Sequence, residues 1–107
     1  MRFVLVLLAA LIFASTASAH KLTVGATAYC LKGRTATGTY VFPGTVAVDP
    51  RVIPLYTRMY IPGYGFGVAL DTGGAIKGRR IDVWFSSCSR AITWGYRTKT
   101  ITLLKKR

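Results

Sequence analysis

Glutamate is absent from this chain, and only three aspartates stand against 15 lysines and arginines, a formal charge of +12 over 107 residues. Histidine occurs once and cysteine twice. So thin a supply of ligands excludes a cysteine-rich zinc site, and also any mechanism that needs more than three carboxylates. The length allows one small domain. Half of the residues are apolar (51%), so this is not a chain that charge and low hydrophobicity keep unfolded.

Long apolar runs are scarce too. The one that exists, Phe3 to Ala14, follows the basic start Met1-Arg2 and falls short of the roughly 20 apolar residues of a spanning helix. Ser15 to Ala19 then carries Ala17 and Ala19 in an A-x-A arrangement. This is the pattern of a secretory signal peptide over 1–19, cut before His20, rather than of an uncleaved membrane anchor. The expected location is therefore outside the cytoplasm: periplasmic, cell-envelope or extracellular.

In that oxidising setting Cys30 and Cys88 form an even pair. A disulfide between them would close a long loop and stabilise a marginally sized domain by about 4 kcal/mol. Two free thiols are the alternative. A catalytic cysteine fits poorly, because the sole histidine, His20, sits at the expected mature N-terminus.

Residues 20–107 read as all-β. Leu22, Val24, Ala26 and Ala28 alternate with Thr23, Gly25 and Thr27, the period of a strand. Short β-rich runs follow at Thr45 to Val48, Arg58 to Ile61, Phe66 to Leu70, Ile81 to Phe85 and Tyr96 to Leu104. All 11 glycines and all four prolines fall in this part and punctuate it, as in Phe42-Pro43-Gly44 and Asp71-Thr72-Gly73-Gly74. A single helical turn is expected over Ser86 to Trp94, with Ser86 or Ser87 as cap and Gly95 as stop. About six short strands in so few residues suggest a small closed barrel, since closure removes exposed edges.

Each scarce acid lies at or just beyond an apolar run. Asp49 follows Thr45-Val46-Ala47-Val48, Asp71 follows Gly67-Val68-Ala69-Leu70, and Asp82 sits inside Ile81-Asp82-Val83-Trp84-Phe85. Turn chemistry alone would explain Asp49 before Pro50 and Asp71 before Thr-Gly-Gly. Asp82 is harder to explain in that way, because strands are depleted in Asp and buried carboxylates are costly. An ion pair with Arg79 or Arg80 is its structural alternative. No acid is left for ordinary surface duty, and this joint placement points to a site in which carboxylates at strand ends converge.

The stretches Thr45-Val-Ala-Val-Asp-Pro-Arg-Val-Ile-Pro-Leu55, Ala69-Leu-Asp-Thr-Gly-Gly-Ala-Ile-Lys-Gly78 and Arg80-Ile-Asp-Val-Trp-Phe85 resemble the three-aspartate (3D) domain family. That domain is similar to the catalytic barrel of the membrane-bound lytic transglycosylase A family. The resemblance runs from about Thr27 to Leu104 and includes Trp94-Gly95-Tyr96-Arg97. It implies a six-stranded double-psi β-barrel over 20–107, with at most one short helix, and cleavage of peptidoglycan glycan strands. It also implies that Asp82 is the catalytic acid/base, with Asp71 and Asp49 as supporting neighbours. The chain departs from the family at Tyr56, where glycine is usual after Ile-Pro-Leu. Tyrosine does not easily take a positive φ, so the turn is expected to differ there.

The residues suit the chemistry. Breaking a glycosidic bond needs an acid to protonate the leaving oxygen. A lytic transglycosylase then reuses that carboxylate as base for the sugar's own 6-hydroxyl, so one carboxylate suffices. Burial beside Val83, Trp84 and Phe85, with a like charge from Asp71, would raise the pKa of Asp82, while Lys77, Arg79 and Arg80 oppose this. Thr37, Gly73, Gly74 and Lys77 are the candidate substrate-binding residues, the glycines because a bare backbone can approach a sugar closely. Thr35, Tyr40 and Gly78 are secondary candidates. No cofactor is needed, and three scattered aspartates offer a hard cation too few oxygens, so no metal site is expected.

The excess of base implies attraction to polyanions. With export, that means anionic cell-envelope polymers or lipid headgroups rather than nucleic acid, despite a basic and aromatic composition. A monomer is expected, and Lys105-Lys106-Arg107 reads as a frayed tail. Two function classes remain from the sequence: a secreted peptidoglycan lytic transglycosylase making 1,6-anhydro-MurNAc ends, and a non-catalytic polysaccharide-binding double-psi barrel.

Overall fold

The computed structural model describes residues 19–106. The expected leader lies outside the described residues apart from Ala19, as does Arg107. Among the described residues no helix is long and apolar enough to cross a membrane.

Among the described residues the fold consists of six strands and one short helix: β1 (His20–Tyr29), β2 (Thr45–Val48), β3 (Thr57–Ile61), β4 (Gly65–Asp71), β5 (Arg80–Trp84), α1 (Cys88–Trp94) and β6 (Arg97–Lys106). The strands close into a barrel in the order β1-β5-β2-β4-β3-β6. Two pairs are parallel, β1 with β5 and β2 with β4, and the other four contacts are antiparallel. This is the expected six-stranded double-psi barrel, and its closure leaves no unpaired edge.

The strands form where alternation demands. Along β3 the pattern is strict, with Thr57, Met59 and Ile61 buried and Arg58 and Tyr60 exposed. All of β2 is buried, which explains its uninterrupted apolar run, since both of its faces are covered. Val46, Val48, Ile61, Ile81, Val83 and Ile101 fill the interior. Ile53, from the β2–β3 loop, is buried with them. The helix begins one residue after its cap: the Ser87 side chain accepts from the Arg90 N–H at 3.3 Å, and Gly95 ends it at φ 62°. Trp94 then anchors the helix to the barrel, its indole N–H donating to the Ala26 carbonyl at 3.0 Å. A disulfide joins Cys30, just past β1, to Cys88 at the start of α1, with Cα atoms 5.1 Å apart.

The turn at residue 56 corrects the sequence-based expectation. Tyr56 takes φ 75°, the single non-glycine residue with positive φ among those described. Its N–H donates to the Ala69 carbonyl at 2.7 Å, and the next residue is tied down through the Thr57 hydroxyl on the Pro54 carbonyl at 2.6 Å. The β3–β4 pairing thus holds the turn in the glycine-like conformation although the residue is tyrosine.

Candidate functional site

The mixed pairing of the barrel assembles a row of side chains that no stretch of sequence contains. Thr27 on β1 stands opposite Asp82 on β5. Asp82 stands opposite Ala47 on β2, and Ala47 in turn opposite Asp71 on β4. Neighbouring strands lie about 4.8 Å apart, so two acids two strands apart are separated by roughly 10 Å of backbone. Their side chains shorten that gap from both sides. The position between them carries only the methyl group of Ala47.

Asp82 is half-buried on the outer face of β5, between the inward-facing Ile81 and Val83. Its Oδ1 accepts from the Thr27 hydroxyl at 2.9 Å. Burial pushes its carboxyl above the usual aspartate range; the Thr27 hydrogen bond and the Arg80 charge oppose this, and the charge of Asp71 adds to it. Neither Arg79 nor Arg80 closes a salt bridge on Asp82: among the described residues the sole ion pair is Arg51 with Asp49. The Arg80 Nε is buried and makes no hydrogen bond.

Asp71 gathers three donors. Its Oδ1 accepts from the N–H groups of Ala36 and Thr72, both at 2.9 Å, and its Oδ2 from the Tyr29 hydroxyl at 3.0 Å. Through this bond Tyr29, the last residue of β1, is tied to Asp71, the last residue of β4. Tyr29 is itself held as a neutral phenol well above its usual range, first by burial and then by the charges of Asp71 and Asp82. The site is therefore a pair of carboxylates with one phenol and one hydroxyl between and beside them.

Asp49 is placed differently. It is 2% exposed, and its carboxylate is fully engaged: Oδ1 takes the Arg51 N–H and Nε, each at 3.0 Å, while Oδ2 takes the Arg51 Nη2 at 2.9 Å and the Gly78 N–H at 2.8 Å. These bonds hold its carboxyl well below the ordinary range. Its geometry suits positioning, since it ties the turn after β2 to the turn that launches β5 and hence Asp82.

The other candidates spread out. Thr37 donates both its N–H and its hydroxyl to the Leu70 carbonyl, at 3.2 and 2.9 Å, so it clamps the Gly33–Val41 loop onto the end of β4 beside Asp71. Thr35 is buried and shares its hydroxyl with Thr37 and Thr39. A methyl group on Gly73 would meet Ile76 at 2.9 Å, whereas Gly74 faces open space. Gly78 needs its freedom, at φ 70°. Lys77 is exposed, and Tyr40 stacks under the Arg34 guanidinium at 4.3 Å. Among the described residues no three His, Cys, Asp or Glu side chains gather closely enough to hold a metal ion.

Sequence reasoning did not single out Tyr29, Thr27 or Ala47. The signal was partial: Thr27 and Tyr29 alternate with the buried Val24 and Ala26 and so face outward, but the partners they meet depend on a parallel pairing 55 residues away.

Residues 44–105 match the 3D domain family. The cell wall-binding protein YocH of Bacillus subtilis is 45% identical over 96 residues, an alignment covering 81% of this chain and 33% of that protein. YabE of the same organism is 44% identical over 92 residues, covering 78% of this chain and 23% of that one. The chain thus spans a third or less of the length of these two relatives. Among solved structures, the E. coli lytic transglycosylase MltA superposes with a TM-score of 0.58 at 25% identity, over 72% of this chain and 28% of MltA. MltA with bound chitohexaose gives 0.59 at 24% identity, over 71% and 28%, a likeness of fold. By the family match over residues 44–105, the chain belongs to the 3D domain family.

Proposed function

We propose that this chain acts at the cell envelope on peptidoglycan glycan strands, cleaving the MurNAc–GlcNAc bond without water, with Asp82 as acid and then base. The observation that carries this reading is the environment of Asp82: a half-buried carboxyl, raised in pKa by that burial, next to a second carboxylate. Such a group can hold a proton where an exposed aspartate could not. It would donate that proton to the bridging oxygen as the C1–O bond breaks. Asp71, with three donors fixing it, would face the positive charge that develops on the sugar ring. Asp82, now a carboxylate, would take the proton of the same sugar's 6-hydroxyl while O6 bonds to C1. The product is a 1,6-anhydro-MurNAc end, and Asp82 finishes protonated as it began. Asp49 and Arg51 serve by holding the turn at Gly78.

The name of YocH supports a second reading, a barrel that binds wall glycan without cutting it. Mass spectrometry of peptidoglycan sacculi incubated with the protein separates the two. The enzyme reading expects 1,6-anhydro-muropeptides from the wild type and at least a hundredfold loss with Asp82→Asn. Products heavier by one water would make it a hydrolase. Co-sedimentation with sacculi but no soluble product, unchanged in Asp82→Asn, would leave the binding module.

A further inference from the structure

The β1–β6 ladder ends at Ala26 opposite Arg97, and Tyr96 is the residue just before β6, next to the end of the ladder where Thr27 hydrogen-bonds Asp82. Tyr96 is 64% exposed, yet its ring is not free in solution. It lies against β1 at Gly25, where a methyl group would meet the ring carbons Cε1 and Cζ at 2.9 Å and crowd the hydroxyl. The φ of Gly25 is not in the left-handed region, so bare backbone is needed here for close approach and not for a turn. The hydroxyl end of the ring sits against bare backbone at Gly25, while most of the side chain is open to solvent.

Tyr96 lines a groove of about 390 Å³ that reaches the Thr27 and Tyr29 partners of the two acids, though not the acids themselves. Thr27 and Tyr29, the residues bonded to Asp82 and Asp71, lie along β1 on one side, and the Cys30–Cys88 disulfide, Ala91 and Ile92 line the other. Ile92 is 79% exposed, a large apolar side chain with its surface turned to solvent.

We propose that Tyr96 is the stacking platform of a sugar subsite next to Asp82, receiving one N-acetylated pyranose of a glycan strand. The inference rests on the glycan reading above and adds a location to it. A pyranose has an apolar face of C–H groups and a rim of hydroxyls. A flat, half-seated tyrosine ring accepts the first, and the Thr27 and Tyr29 hydroxyls are within the same groove for the second. The acetamido methyl group has Ile92 and the disulfide as apolar neighbours. Tyr96 leads into β6, which pairs with β1, and β1 in turn pairs with the β5 strand of Asp82, so a sugar on the ring directs its neighbour in the chain toward the acid. Gly25 acts through Tyr96 as a positioning residue.

The test is binding of chitohexaose, by calorimetry, in an Asp82→Asn background where no turnover intervenes. Tyr96→Ala is expected to weaken binding about tenfold, Tyr96→Trp to retain it, and Gly25→Ala to weaken it with Tyr96 still present, because the added methyl tips the ring off its seat. Tyr60→Ala, an exposed aromatic on the β3–β4 hairpin packed on Phe66, should bind as the parent does. Melting temperatures check that each variant is folded. Equal affinity for the parent and Tyr96→Ala overturns the subsite and leaves the glycan reading standing. A parent that binds neither chitohexaose nor sacculi removes both. Dimers in size-exclusion chromatography that Tyr96→Ala dissolves would overturn the subsite by assigning the patch to a second copy of the chain.

Discussion

Asp82 has a cost that its neighbours reveal. Its raised pKa means that the folded protein favours the protonated form more than the unfolded chain does. The associated stability is fully present below the ordinary carboxylate value, about 4, and is lost as pH rises through the raised folded value. Asp82→Asn, which stays neutral, should therefore melt above wild type at neutral pH, and the gap should close as pH falls below about 4; thermal unfolding of the two proteins across that range reads it directly. Asp49 has the opposite sign. Its depressed pKa adds stability above the ordinary carboxylate value that disappears as acid neutralises it. Two aspartates of one small barrel thus pull the pH–stability curve in opposite directions, one through burial and the other through Arg51 and Gly78. Tyr56 stores strain of another kind. A tyrosine at φ 75° gives up of order 1 kcal/mol, so Tyr56→Gly should gain about 1 kcal/mol in denaturant unfolding, less the entropy that glycine adds to the unfolded chain.

At the level of elements, α1 is a short helix held at both ends. Ser87 caps it, Trp94 bonds it to β1, and Cys88 fastens its first turn to the end of β1. Reducing the disulfide should lower stability by about 2–4 kcal/mol, measured by denaturant titration with and without thiol, and should loosen the wall that α1 contributes to the groove beside Tyr29. The strands were legible in the sequence, because alternation and glycine-rich turns mark them: Thr45–Val48 needed no adjustment, and the ends of the others moved by a residue or two, outward for most, but inward at Phe85 and Tyr96, which fall outside β5 and β6. The helix was equally plain from Ser87 and Gly95. The site was legible only in part. Scarcity drew attention to Asp71 and Asp82, but it could not separate them from Asp49, since the bidentate grip of Arg51 depends on side-chain conformation. Tyr29 and Ala47 were hidden for a different reason: they meet the acids through contacts between strands far apart in sequence. Gly25 looked like any strand glycine until the Tyr96 ring was seen resting on it.

On the scale of the whole molecule, the shortage of acid is answered by aromatic rings. Arg34 lies over Tyr40, Arg90 over Phe85, and both Arg97 and Lys99 over Trp94, with the Arg97 guanidinium 4.3 Å from the ring centre. Cations that find no carboxylate thus keep an ordered place while their charge stays on the surface, where it can draw the protein toward an anionic polymer. The barrel's connectivity has a consequence in time. The first strand has no partner near it in sequence: Thr27 meets Asp82 55 residues on, and Lys21 meets Thr102 81 residues on. Nothing can close around β1 until β5 and β6 exist, and closing such long loops makes for folding in milliseconds to seconds rather than microseconds. A polypeptide emerging from its N-terminus can therefore form the local β3–β4 hairpin early, but its barrel stays open until the last strand arrives.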